Sequence, residues 1–179
     1  MIEEINENNI NKLLESLPEN LSAVERMILA NEGTVQTLLS VLCSTPVKVV
    51  VISQLRLADV IIRWSKLVVE YPGKKPVTVC LAESIIPASN PEGFINMINA
   101  RLIGIGQIIK TIGLVTARHL KGFHIDDNTF ARTYTIEGDC CAIITEEFNR
   151  DTISNITGIP TITMEDIERS MRENWGLEI

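Results

Sequence analysis

A chain of 179 residues, 45% of them hydrophobic, has the length of a single domain with a substantial core and not the composition of a disordered tail. Its 23 acidic against 16 basic side chains leave a net charge of −7, which argues against nucleic acid as a partner, because phosphate contacts need a basic surface. The longest apolar runs, such as Val49 to Ile52, fall far short of the ~20 residues that span a bilayer, and the acidic start MIEEINENN is the opposite of a secretory signal. The expectation is a cytoplasmic protein with no membrane contact.

Residues 5–16 give a weak helix. Ser22-Ala-Val-Glu25 fits a capping box, and Val24, Met27 and Ile28 make an apolar stripe through about Ala30. Asn31-Glu-Gly33 breaks that helix. A second opens at Thr34, with Val35, Leu38, Leu39 and Leu42 on one face. Backbone amides at Gly33-Thr34 are therefore free to hold a carboxylate or phosphate, although most helix starts only cap themselves.

Strands follow from Pro46: Val47 to Gln54, Val60 to Tyr71 and, after the turn Pro72-Gly-Lys-Lys75, Val77 to Ile86. On the second strand Arg63, Ser65, Leu67 and Val69 share one face, opposite Trp64, Lys66, Val68 and Glu70. Arg63 thus points with the apolar set; the bland alternative is an arginine near a strand end that snorkels outward. Pro91 to Arg101 reads as a short helix, and Ile103-Gly-Ile-Gly-Gln107 leads into another helical turn through Lys110. Those two glycines are no dinucleotide fingerprint, since Ile109 takes the third glycine's place and a helix precedes them where a strand is required.

Gly113 to His124 is the fourth strand. His119 and His124, the only histidines, have neither i, i+4 spacing nor a carboxylate cluster beside them, so no metal site is expected. Cys43, Cys80, Cys140 and Cys141 form no C-x-x-C pair and read as small core residues of a reducing compartment.

The stretch Phe130 to Arg150 then reads as a β-hairpin turning at Gly138-Asp139. Phe130, Arg132, Tyr134 and Ile136 share one face; on the returning strand Cys140, Ala142, Ile144, Glu146 and Phe148 do. Each apolar face carries one charge, Arg132 and Glu146, whereas Glu147 falls on the opposite face. A charge on a buried sheet face costs several kcal/mol, as an order-of-magnitude figure, unless paired, so the two form either an internal ion pair or a site. Beyond Arg150, Asp151 to Pro160 looks polar and loop-like. Thr163 caps a last helix with Met164, Ile167, Met171 and Trp175 on one side, to pack back on the domain or, in a homodimer, on a second subunit.

The order helix, helix, three strands, helix, three strands predicts an α+β domain over residues 1–150: one antiparallel sheet of six strands with helices on a single face. Residues 151–179 form a C-terminal extension.

Four pieces of the chain together resemble the chorismate pyruvate-lyase family, in its short prokaryotic branch that forms 4-hydroxybenzoate. They are Asn31-Glu-Gly-Thr34, Ala82-Glu-Ser-Ile-Ile-Pro87, the pair Ile105-Gly106, and Ala131-Arg-Thr-Tyr134 with Ile144-Thr-Glu-Glu-Phe148. They span about residues 20–150 in the family's order. The resemblance implies a cofactor-free lyase that takes chorismate and holds its aromatic product between the sheet and helical flaps. It implies that an arginine and two backbone amides grip the ring carboxylate. The amide positions match Gly33, with Thr34 beside it, and Ile105, with Gly106 beside it. The motif places Glu146 at the ring hydroxyl, the glutamate that strand parity also selects. In one respect the chain departs from the pattern: gap-free alignment puts Ser65 where the family has its carboxylate-binding arginine. Arg63, two residues earlier on the same face, is the candidate to deliver a guanidinium there, and Arg132 is a second candidate cation. The rival expectation is a non-catalytic domain of the same fold that binds a small carboxylate effector. Such sensors normally follow a DNA-binding helix-turn-helix, and the residues ahead of Ser22 in this sequence hold no basic helix, which counts against that expectation.

Overall fold

The computed structural model describes residues 17, 19–157 and 169. The helix expected over 5–16 lies outside them, as does all but residue 169 of the one expected from Thr163 onward, with the subunit contact suggested for it. Helix α1 (Ala23–Ala30) opens on the expected capping box: the Glu25 amide donates to Ser22 Oγ and the Ser22 amide to Glu25 Oε2. Helix α2 (Val35–Leu42) follows, then β1 (Val47–Leu57), β2 (Val60–Val69) and β3 (Val77–Pro87). Next come α3 (Glu92–Ala100) and α4 (Ile105–Ile112). The chain continues through β4 (Thr116–Ile125), β5 (Thr129–Gly138), β6 (Ala142–Asn149) and α5 (Arg150–Thr157).

All six strands pair antiparallel in one sheet of order β1-β2-β3-β6-β5-β4, the expected α+β architecture. Alternation along the strands decides which face is covered. On β6, Ala142, Ile144, Glu146 and Phe148 are buried while Ile143 and Glu147 are exposed. Two apolar clusters occupy the covered face. One joins Leu67, Val69, Phe130 and Phe148 to α1, α2 and Ile153 of α5. The other joins Ile61, Ile86 and Ile136 to α3 and α4. Phe130 and Phe148, direct cross-strand partners, stack with ring centroids 4.9 Å apart.

Three local expectations are corrected. Residues 151–157 are helical, not a loop: the Thr152 amide donates to Asn149 Oδ1, which starts α5, and Ile153 is buried. The hairpin connection is wider than a two-residue turn, because Ile136 pairs with Ala142 and β6 begins only there. Cys140 is buried all the same, but from the connection and not from the strand. The fourth strand starts at Thr116, since Gly113 closes α4 with a left-handed φ of 73°.

Candidate functional site

The polar residues of the covered face gather between the two apolar clusters, and register places them. Ser65, Ala82, Glu146 and Arg132 lie opposite one another across β2, β3, β6 and β5. Arg63, Ser84, Ile144 and Tyr134 form the adjacent row. Over these rows sit the first turns of α2 and α4, and between sheet and helices lies a cavity of about 500 Å³, its mouth included. Its lining includes Arg63, Ser65, Ser84, Tyr134 and Glu146 from the sheet. Thr34, Val35 and Gln36 line it from α2, and Gly104, Ile105 and Gly106 from α4.

Arg63 does not snorkel. It is 1% exposed; Nη2 donates to the Ile103 carbonyl at 2.6 Å, and Nη1 is buried with no hydrogen-bond partner. Burial, and after it the charge of Arg101, lower the guanidinium to about 10, so it is still cationic at neutral pH. A buried cation with a free N–H on a cavity wall is an anion-binding group, because an unsatisfied charged donor is costly until something accepts from it.

Both helix starts present uncapped amides to the same space. The Thr34 hydroxyl pairs with that of Thr37 and caps nothing, and Gly104 has no side chain to cap with. Gln107 Oε1 accepts from the Gly104 amide, leaving Ile105 and Gly106 in the first turn on the cavity wall. Such amides, with the positive end of the helix dipole, favour an anion. Glycine at 106 has a steric reason: a Cβ there would come within 2.4 Å of Thr34 Cγ2, so the two helix starts touch.

At the other end, Glu146 is 5% exposed. Its Oε2 accepts from Arg132 Nε at 2.8 Å and its Oε1 from the Tyr134 hydroxyl at 3.0 Å. Burial, then the charge of Glu146, push the Tyr134 phenol far above its ordinary range, so it remains an O–H donor. Arg132 Nη1 also donates to the carbonyls of Ile28 and Asn31, each at 2.6 Å, and Nη2 is buried without a hydrogen-bond partner. The charges on the two hairpin faces are thus an internal pair, and one member of that pair, Glu146, is also on the cavity wall. Arg132 lies behind it and lines a neighbouring recess with Arg118 and Tyr134. Glu147 faces away from the cavity.

Of the residues singled out from sequence, Arg63, Thr34, Ile105, Gly106 and Glu146 line one cavity. Gly33 does not: its amide donates to Asn31 Oδ1 at 3.1 Å, and the residues after it face inward. Sequence reasoning missed Arg118 of β4, whose Nη1 donates to the carbonyls of Glu32 and Gly33. It also missed the hydroxyls of Ser84 and Tyr134, for which cross-strand register was the available signal. No protein-family model and no curated protein matches the chain.

Proposed function

We propose that this protein is a cofactor-free lyase that converts chorismate to 4-hydroxybenzoate and pyruvate. One observation carries the reading: an unpartnered, buried Arg63 N–H and two uncapped helix starts share a small cavity with the carboxylate of Glu146. That is a receptor for an aromatic or dienyl ring bearing a carboxylate and a hydroxyl. The four sequence pieces that resemble the chorismate pyruvate-lyase family contribute half of its lining residues.

In this mechanism Arg63 and the α2 and α4 amides hold the ring carboxylate, and Glu146 accepts the hydrogen bond of the ring hydroxyl. The ring C–H on the hydroxyl-bearing carbon breaks, its electron pair completes the aromatic sextet, and the neighbouring ether C–O bond breaks. Enolpyruvate leaves and gains a proton at its methylene carbon, giving pyruvate; no oxidant or co-reactant is consumed. The protein contributes orientation and preorganised charge, while aromatisation supplies the drive. Arg132 and Tyr134 fix the angle of the Glu146 carboxylate.

A second reading rests on the same carboxylate. Both Glu146 oxygens already accept a hydrogen bond, an arrangement equally suited to reading a ligand hydroxyl without chemistry, as in an effector-binding domain. Incubating the purified protein with chorismate and following 4-hydroxybenzoate and pyruvate separates the two. Stoichiometric release of both products is expected; saturable 4-hydroxybenzoate binding without turnover selects the effector domain, and neither activity nor binding overturns both.

A further inference from the structure

Gly106 and Thr34 meet at the cavity wall, so any parting of the two helix starts would widen the way in. One side chain from the edge strand reaches both of them. Arg118 Nη1 donates to the carbonyls of Glu32 and Gly33, the two residues that feed α2. Its Nη2 would lie 3.2 Å from a Cβ on Gly106, so the same guanidinium borders the first turn of α4. Its central carbon lies 5.5 Å from the centroid of the Tyr134 ring, over the face of the residue that donates to Glu146. Arg118 is therefore the one described side chain found to meet the entry to α2, the start of α4 and the tyrosine that orients Glu146. It lines both the main cavity and the neighbouring recess, at the wall they share.

We infer that Arg118 is the positioning residue that latches the two helix starts over the cavity and couples their closure to the alignment of Glu146. Opening breaks the two hydrogen bonds to carbonyls 32 and 33 and frees the Tyr134 ring. Closing remakes them around a bound ligand and returns the Tyr134 hydroxyl to Glu146. Arg118 touches no reacting atom in this account; it acts through the α2 entry and Tyr134. A lysine at this position has no planar fork with which to reach two carbonyls and cover an aromatic ring together.

The inference extends the proposed lyase reading, but its test does not depend on it. Hydrogen exchange on the ligand-free full chain compares wild type with Arg118→Met, which keeps a long apolar stem, and with Arg118→Lys. The latch predicts exchange faster by about tenfold or more at amides 37–39 and 108–110, the first hydrogen-bonded amides of α2 and α4 and some seventy residues apart in sequence, as expected for losing charged hydrogen bonds. The β2–β3 amides and the melting temperature stay near wild type, and lysine restores only part of the protection. Unchanged exchange at either helix start overturns the latch, as does loss of protection throughout the sheet, which would make Arg118 a general stability residue. A second arm measures dissociation of 4-hydroxybenzoate by stopped flow. Faster release from Arg118→Met, with a raised KM and a kcat that does not fall in proportion, supports the latch; an unchanged release rate overturns it. Failure of the wild-type protein to bind 4-hydroxybenzoate overturns the lyase reading and leaves the exchange result to decide the latch.

Discussion

The covered face of the sheet holds two kinds of neighbourhood a few residues apart along the same strands. Phe130 and Phe148 stack inside an apolar cluster, while two residues along each strand Arg132 and Glu146 occupy the same kind of cross-strand pair with full charges. The apolar pair repays its burial directly through area removed from water. The charged pair gains less, because desolvation consumes most of the attraction. In the proposed reading, burying Arg63, Ser65, Ser84, Arg132 and Glu146 where apolar side chains would cost less desolvation exchanges core stability for a recognition surface.

Substitutions that cross this boundary break the comparison most sharply. Glu146→Gln is expected to lower turnover of chorismate by at least ~100-fold, within the range of a positioned acid–base or hydrogen-bonding group, while Glu147→Gln on the open face leaves it near wild type. Equal effects in a product-release assay would sink the assignment of the two faces. Phe148→Ala should do the reverse, costing ~3–5 kcal/mol in chemical denaturation through the cavity it leaves. Turnover per folded molecule should change little. Arg63→Met joins the halves: removing a buried guanidinium with an unpartnered N–H should raise stability by ~1 kcal/mol and weaken 4-hydroxybenzoate binding by ~10-fold or more. A variant that loses both stability and binding would refute the exchange of one for the other.

Gly106→Ala tests the roof. The added methyl meets Thr34 Cγ2, so it should part the helix starts and loosen ligand binding by roughly tenfold, as ~1–3 kcal/mol of overpacking implies. Thr34→Ser removes that methyl and keeps the hydroxyl; the double variant should regain most of the affinity in a binding titration. The smallest effect belongs to the apolar half. Burial, then the charges of Cys141 and Asp139, push the Cys140 thiol up to about 11. Because the folded chain holds that proton more tightly than the unfolded chain, the resulting stability is complete below the ordinary thiol range and is lost as pH climbs toward about 11. Urea midpoints across the alkaline range should therefore fall less steeply in Cys140→Ala, with Cys43 and Cys80, both also raised by burial, sustaining the remaining slope.

What could be read in advance follows the same division. Strand alternation is a strong signal wherever one face is covered, so it marked Arg63, Arg132 and Glu146 and separated Glu146 from Glu147. It weakens at the edge strand β4, where His119 and Lys121 stand exposed along with Leu120 and no apolar face singles out Arg118. Helix α5 escaped because Ile153 is its one buried residue and an asparagine side chain, not an amphipathic stripe, starts it. Gly33 was placed correctly in the chain but its amide was diverted by Asn31, a local side-chain competition of the kind that short polar residues set up around turns. The pairing of Arg132 with Glu146 needed the register of the hairpin, which depends on a connection longer than its glycine turn suggested.

Helix α1 is fastened at one end to the residue that follows β6, the strand of Glu146, and at the other to its neighbour β5. At its start Glu25 pairs with Arg150, which directly follows β6, with Nε 2.6 Å from Oε1. At its end the carbonyls of Ile28 and Asn31 accept from Arg132 on β5. A helix so fixed behaves as a strut of set length and phase. Adding one residue inside it would advance the far end by about 1.5 Å and turn it by about 100°, so that one of the two fastenings must fail. Substitutions along the exposed side of α1 are free by comparison, whereas any change in its length reaches the carboxylate of Glu146 through Arg132.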